Sequence, residues 1–495
     1  MSNHPYLLPT MDRGPMILLP PKHAKEVYGQ PETRLDVWDT INDSIQTKYT
    51  IQDHHIIDKA LHRDVLRNQI SRNLGLLTDL LAVELDRGLK RCWGTDTSKW
   101  RSVPAFDSCL NIVARAANAA FLGPSLCRDE VFLKRLKDHA TSVFSGGILI
   151  NVTPGPFKHI GLWYDAPPVK ERLEKTADWS NGLEPEWTPP VGQNRLDPIS
   201  GHAMKRFIGV LPIQVSNNWL MTIEQHDGLQ WMIEESITKC DPAELDPQRL
   251  CERLLFLNDV SMHTSAFTLQ TLLQNLAASD PRNGYIEILR NECKTVLDEA
   301  GGEWTREAVQ KLVLLDSTIR ESMRMSPFSI FGLPRTVIDP NGISVRHDGS
   351  DYFLPRGSIV TLPVEHAHYD EQVYLNARSF QPFRFATVEA NTPGAQKGPE
   401  VVRAKTAVTL DDHFLAFGHG KHGCPGRFFV IHEIKLMMAN ILLNYEIEPL
   451  KSRKELIHVM WLKLPLNGLR LRVRRRPSTE DYCFGAGLPP SLLNS

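Results

Sequence analysis

Apolar residues along this chain recur mostly at helical spacing. Between residues 55 and 145, runs such as Leu74-Gly75-Leu76-Leu77-Thr78-Asp79-Leu80-Leu81 and Ile112-Val113-Ala114-Arg115-Ala116 repeat apolar positions every three or four residues, which predicts helices. From about 150 to 215 the pattern breaks. Pro154, Pro156, Pro167, Pro168, Pro185, Pro189, Pro190 and Pro198 punctuate that stretch, which reads as an irregular excursion over the surface. It either borders a substrate entrance or is a variable insertion without function, and the residues alone leave both open.

Helical periodicity then returns. Asp246 is a good N-cap, and Pro247 at the first helical position has no amide to leave unsatisfied. A long helix is predicted from there through Leu254-Leu255-Phe256-Leu257 to about Ala278. A further helix is predicted from about Thr305 to Met325, stopping before Pro327. Between 336 and 363 the character changes: Thr336-Val337-Ile338 and Ser358-Ile359-Val360-Thr361-Leu362 are separated by the turn formers Asp339-Pro340-Asn341-Gly342 and Asp348-Gly349. The expectation is a mainly α protein with a small antiparallel β-sheet subdomain. Residues 427–438 are apolar on most faces and predict a buried helix.

Composition narrows this picture. Length alone would suggest two to four domains, but no linker, repeat or low-complexity run divides the 495 residues, so one large domain over 23–478 stays open, with an N-terminal segment (1–22) and a C-terminal tail (479–495); the motifs below favour it as a single catalytic domain. The net charge is −2 and no basic stripe stands out, which argues against a nucleic-acid partner. Met16-Ile17-Leu18-Leu19, closed by Pro20-Pro21, falls far short of the roughly 18 residues that span a bilayer. No transmembrane segment is read from this chain. Two readings of that stay open, a truncated gene product and an enzyme without an anchor helix. The eight cysteines are scattered with no CxxC pair, the pattern of a reducing compartment.

Only Cys424 has a distinctive setting, Phe417-Gly418-His419-Gly420-Lys421-His422-Gly423-Cys424-Pro425-Gly426-Arg427. The glycines permit a tight backbone, and the cysteine stands just before a helix N-terminus, where partial positive charge and free amides favour a thiolate. Such a thiolate is a suitable axial ligand for haem iron. A buried small residue is one alternative. A zinc site drawn from His413, His419, His422, Cys424 and His432 is another, although their spacing matches no common tetrahedral pattern. The full string resembles the haem-binding signature of the cytochrome P-450 family, Phe-Gly-x-Gly-x-His/Arg-x-Cys-x-Gly. That resemblance implies haem b held by Cys424, with Phe417, Gly418 and Gly426 in the cofactor loop and His422 at a propionate.

The resemblance also implies a Glu-x-x-Arg upstream. Five such pairs occur: Glu84/Arg87, Glu287/Arg290, Glu303/Arg306, Glu321/Arg324 and Glu400/Arg403. Context selects Glu321 and Arg324, which end the helix before Pro327. Phe380-Gln381-Pro382-Phe383-Arg384-Phe385 is similar to the family's Phe-x-Pro-x-Arg-Phe, so Arg384 is expected to complete a buried triad with them. Arg335, leading the first strand after that helix, is expected at a second propionate.

The long helix carries Asn258-Asp259-Val260-Ser261-Met262-His263-Thr264-Ser265-Ala266, where the family has Ala/Gly-Gly-x-Asp/Glu-Thr-Thr/Ser. Thr264 falls on the threonine that helps deliver protons to dioxygen, Ser265 on the next hydroxyl and His263 on the acid. A histidine titrates near neutral pH and can replace a carboxylate in a relay. It can equally be a helix-packing residue. The implied activity is monooxygenation of a hydrophobic small molecule by dioxygen, similar to fungal enzymes of terpenoid or polyketide secondary metabolism. Electrons would come from NADPH through a separate NADPH–cytochrome P-450 reductase, docked on a face around Lys421, Arg427 and Lys435. The relatives imply the cytoplasmic side of the endoplasmic reticulum, with peripheral membrane contact. A haem-thiolate isomerase or dehydratase that uses no dioxygen, and a non-catalytic haem-binding protein, are the alternatives.

Overall fold

The computed structural model describes residues 4–10, 14–51, 53–153, 226–389, 400–403 and 405–477. The expected proline-rich excursion, from 154 onward, and the 479–495 tail lie outside the described residues. The described chain forms two compact units, residues 4–43, 82–113 and 264–477 in the first and 44–81, 114–153 and 226–263 in the second.

Helices dominate both, as the periodicity predicts. The principal ones are Leu74–Trp93, Ala105–Leu122, Glu130–Val152, Gly228–Thr238, Pro247–Ala277, Tyr285–Glu299, Val313–Met325 and Arg427–Asn444. Asp246 caps the long helix as expected, its carboxylate accepting from the Arg249 amide at 3.3 Å. Asp129 caps Glu130–Val152 through the amides of Val131 and Phe132.

The helix expected over 305–325 is two helices. Thr305 caps Arg306–Lys311, the chain turns out of helical geometry at Leu312 (ψ 79°), and Val313–Met325 starts afresh. Periodicity does not show this break because the stabilising group is remote. The Glu292 carboxylate accepts from the amides of Leu314 and Leu315 at 2.6 and 2.9 Å, satisfying donors that a broken helix would otherwise strand.

The β-structure of the first unit is more extensive than the predicted subdomain. A five-stranded sheet runs in the order Tyr6–Leu8, Met16–Leu18, Ile359–Leu362, Gly332–Val337, Leu35–Asp36. Its pairings are antiparallel except for Met16–Leu18 against Ile359–Leu362, which are parallel. The short apolar run near the start of the chain is thus a sheet strand, with Met16, Leu18 and Leu19 buried. Ile343–His347 and Ser350–Leu354 form a hairpin on the Asp348-Gly349 turn, Asp348 adopting φ +49°. A third element was not predicted at all: Arg101–Pro104 pairs with Arg470–Arg475, which also pairs with Tyr445–Ile447.

Arg427–Asn444 is buried at every position from Ile431 onward, as its apolar composition requires. Its polar residues are correspondingly constrained. Burial holds the Glu433 carboxyl protonated, raising its pKa to about 8, and lowers the His432 pKa to about 3. No helix among the described residues is long and apolar enough to cross a membrane. None of the seven described cysteines forms a disulfide.

Candidate active site

The loop that delivers Cys424 is closed by its own backbone. The Cys424 amide donates to Phe417 O at 2.8 Å, Gly418 N to Leu415 O at 3.0 Å and Gly423 N to Gly420 O at 3.1 Å. Two glycines suit this shape. Gly418 has φ +79°, and a Cβ on Gly423 would stand 2.4 Å from Leu410 Cδ1. Gly426 is the N-cap of Arg427–Asn444, and Arg427 Nη1 donates back to Cys424 O at 2.8 Å.

Cys424 keeps a partly exposed surface. The protein packed around its thiol nevertheless pushes the pKa up, against the opposing amides of Gly426 and Arg427 and the Arg427 guanidinium. Helix-end position alone therefore does not make a thiolate here. Desolvation outweighs it, and a cation bonded to sulfur is what would reverse the balance.

Behind the loop, Glu321 and Arg324 are wholly buried. Arg324 donates through Nε and Nη2 to the two Glu321 oxygens, each at 2.8 Å. Arg384 Nε donates to the same oxygens at 3.2 and 3.0 Å, and the Gln381 amide donates to Oε1 at 3.0 Å. Arg384 also binds Leu375 O at 2.7 Å. The three expected residues are thus brought together. Of the other Glu-x-x-Arg pairs, Glu84/Arg87 stand 3.7 Å apart and Glu287/Arg290 pair at an exposed glutamate.

Two further braces were not foreseen. His368 is fully buried. Its Nδ1–H donates to Arg324 O at 3.0 Å, and its Nε2 accepts from the Leu415 amide at 2.8 Å. It thereby links the triad helix to the start of the cysteine loop, and burial keeps it neutral with a pKa of about 3. Arg320 donates to Thr406 O (2.7 Å), Thr409 O (2.8 Å) and Asp411 Oδ2 (2.6 Å), and its guanidinium lies over the Phe414 ring at 3.7 Å. A signal existed for Arg320, one position before Glu321 in a helix, but its partners lie some ninety residues on.

On the long helix, Thr264 is exposed while Met262, Ser265 and Ala266 are buried. Its carbonyl accepts from Thr268 Oγ1 at 2.9 Å. His263 is buried, its Nε2 3.1 Å from Thr141 Oγ1 and its ring stacked on Phe144 (centroids 6.0 Å, 9°). Thr141 gives its own hydrogen to Lys137 O at 2.7 Å, so it accepts from His263 Nε2–H. Burial lowers the His263 pKa, with Asp259 acting in the opposite direction.

The family model for cytochrome P450 matches residues 204–470 of this chain. The chain belongs to the cytochrome P-450 family. It is 37% identical to the cytochrome P-450 monooxygenase okaG of Penicillium ochrochloron, over 96% of this chain and 87% of that protein. It is 32% identical to the monooxygenase gloP of Glarea lozoyensis (96% and 84%) and 31% identical to htyF of Aspergillus rugulosus (89% and 62%). It is a haem-dependent monooxygenase with the family's mainly helical fold.

The residues of this cytochrome P-450 fit a haem with thiolate ligation. A cavity of about 250 Å³ is lined by Phe417 and Gly418 of the cysteine loop, Leu333, and Thr268 and Thr271 of the long helix. Arg335 is buried and lies over the Tyr28 ring at 5.2 Å, and its hydrogen bond goes to Pro334 O at 2.8 Å. No described carboxylate lies within ion-pair distance of it, and the Tyr28 hydroxyl is buried without a partner. A buried guanidinium in that state is suited to an anionic group such as a propionate. His422 Nε2 stands 3.2 Å from Glu32 and its ring meets the Trp38 edge.

One alternative falls away and one expectation is corrected. The Cys/His set does not converge into a metal site among the described residues: His419 Nε2 binds Asp412 at 2.7 Å, His422 faces Glu32, and His432 is buried in its helix. Lys435 cannot join a docking face, because it is buried and paired with buried Asp316 at 2.6 Å. Lys421 is exposed.

Proposed function

We propose that Cys424 holds the haem iron through its thiolate and that this chain oxidises a hydrophobic small molecule of fungal secondary metabolism. The observation that carries the assignment is the glycine-cradled cysteine loop fastened to the buried Glu321–Arg324–Arg384 triad. Haem with a thiolate ligand supplies activation of dioxygen. The chain's own residues do the rest. Phe417, Gly418 and Gly426 shape the loop, Arg335 and His422 neutralise the propionates, and the triad with His368 keeps the loop seated. Residues 23–478 serve this activity as a single catalytic domain, a reading supported by a family match that takes in segments of both compact units.

Thr264, exposed on the long helix, presents a hydroxyl for proton delivery, with Ser265 as the next hydroxyl. His263, beside it, is the titratable group of this relay, held by Thr141. Thr264→Ala is expected to consume electrons without proportionate product, and His263→Gln to move the acid limb of the pH–rate profile. Unchanged coupling in the first variant removes the relay.

Electrons reach this enzyme from NADPH through a separate NADPH–cytochrome P-450 reductase, on a face that includes Lys421 and Arg427. The endoplasmic reticulum, on its cytoplasmic side, is the proposed location. The deciding experiment is the spectrum of the reduced protein with carbon monoxide. A strongly red-shifted Soret band that disappears in Cys424→Ser is expected; a band that survives in Cys424→Ser overturns the ligand assignment.

A further inference from the structure

Outside the haem region, one group of side chains converges as metal ligands do. His4, His347 and Asp348 offer ligand atoms that all lie within 4.8 Å of one another. His347 ends the first strand of the hairpin and Asp348, at φ +49°, begins its turn with its carboxylate beside the histidine. His4 comes from the segment leading into strand Tyr6–Leu8.

The proton arrangement singles out one atom. Glu26 is acceptor-only when ionised, so His23 Nδ1, 3.1 Å from Glu26 Oε2, carries the hydrogen. With one proton on each ring, His23 Nε2 then accepts from His347 Nδ1–H across 2.9 Å. This leaves a lone pair on His347 Nε2. That atom is buried, has no hydrogen-bond partner, and stands 3.1 Å from Asp348 Oδ2. Two lone pairs at that separation repel unless a proton or a metal ion lies between them, and burial disfavours the extra proton on His347. A tetrahedral Zn²⁺ with ligands at about 2.0–2.2 Å sets its donors roughly 3.3–3.5 Å apart; His347 Nε2 and Asp348 Oδ2 stand 3.1 Å apart, and a His4 ring nitrogen lies within 4.8 Å of both.

We propose that His4, His347 and Asp348 form a structural site for a divalent transition ion, with Zn²⁺ the fitting case and water completing its shell. The chain Glu26–His23–His347 is the outer support that fixes the ligand's tautomer and ring orientation, as in carboxylate–histidine–zinc arrangements. The mixed imidazole and carboxylate donors suit Zn²⁺ better than Ca²⁺ or Mg²⁺, which prefer oxygen alone. His4 and Asp348 are exposed, giving the ion an entry path. Lys22, 2.8 Å from Asp348 Oδ1, opposes the ion and limits its affinity without covering Oδ2. The bound ion would staple the segment at residue 4 to the hairpin.

The test uses the haem-loaded full chain, dialysed against a chelator and titrated with ZnCl₂ in a calorimeter, with thermal unfolding followed in parallel. One equivalent of Zn²⁺ is expected to bind and to raise the unfolding temperature. Both effects should vanish in His347→Ala and in His4→Ala; the exposed position of His4 keeps the test valid if the buried variant unfolds. Glu26→Gln should weaken binding about 10–100-fold, and Lys22→Ala should tighten it. The carbon monoxide spectrum is expected to stay the same throughout. Equal Zn²⁺ uptake by wild type and His4→Ala, or no uptake by wild type, overturns the proposal.

Discussion

Glu321 and Glu244 are both buried carboxylates gripped by guanidinium groups, and they serve different ends. Glu321 takes one arginine from its own helix and another 63 residues away, so it fastens a distant segment to the core. Glu244 takes its arginines from close by in sequence, and its one distant partner is the His55 ring, 189 residues earlier. Arg253, nine residues on and fully buried, donates from Nε at 2.9 Å and stands at 2.6 Å through Nη2, while His55 approaches at 3.1 Å and Arg249 at 3.9 Å. Arg253 also binds Lys59 O at 2.7 Å and His62 Nδ1 at 3.2 Å. The first cluster secures the loop that carries the chemistry. The second secures the start of the long helix against residues 56–62. Equal chemistry at two sites therefore predicts equal cost in stability and unequal cost in function.

The largest effect should come from Glu321→Ala, which leaves Arg324 and Arg384 without their shared anion. Haem incorporation is expected to be abolished, as read by Soret absorbance per protein. A variant with normal haem content would end the triad's assigned role. Arg253→Ala strands Glu244 in the same way and should lower unfolding free energy by about 3–5 kcal/mol. Its purified fraction, however, should keep the carbon monoxide spectrum. Arg253→Met combined with Glu244→Gln should recover part of the loss, because it removes both buried charges rather than orphaning one, while the carbonyls of Ile56 and Lys59 stay without their donor. If Arg253→Ala loses haem as completely as Glu321→Ala, the distinction between the clusters is wrong.

Each cluster also holds a buried histidine, and acid should expose both. His368 and His62 have pKa values lowered to about 3, chiefly by burial and then, for His62, by the Arg253 charge. Between about pH 3 and 6.5 the unfolded chain binds protons that these folded rings refuse. Stability is therefore complete above about pH 6.5 and falls as the solution is acidified, by up to about 1.4 kcal/mol per pH unit for each ring. Urea unfolding at a series of pH values measures the slope. His368→Gln, which can still donate and accept, should make it shallower; an unchanged slope would mean that His368 titrates normally.

Much of this site could be read from short strings, because the cysteine loop and the Glu321–Arg324 pair are local patterns with fixed spacing. What escaped reading is what depends on distant partners. Lys435 looks like one more solvated charge until Asp316, far earlier in the chain, is seen beside it. The helix break at Leu312 is invisible without Glu292, and strand Arg101–Pro104 has no meaning until Arg470–Arg475 pairs with it. His368 belongs to the same class, since its role lies in bonds to Arg324 and Leu415. The turn at Asp348-Gly349 was readable because it is itself local, whereas the strands it joins, Ile343–His347 and Ser350–Leu354, were not.

The smallest predicted effect isolates burial from chemistry on a single oxygen. Asp411 Oδ2 receives two cations, Arg320 at 2.6 Å and Lys405 at 3.1 Å. The Arg320 side chain is wholly buried, whereas that of Lys405 is 51% exposed. Water and salt screen the lysine, and its flexible stem loses rotamer freedom in making the contact. Lys405→Ala should therefore cost less than about 1 kcal/mol, and less still at high ionic strength. Arg320→Ala should cost several kcal/mol at any ionic strength, because it also leaves the carbonyls of Thr406 and Thr409 without their donor. Urea midpoints of the two variants at low and high salt make the comparison. Similar losses for both would mean that proximity to Asp411, and not burial, sets the strength of the brace beneath the cysteine loop.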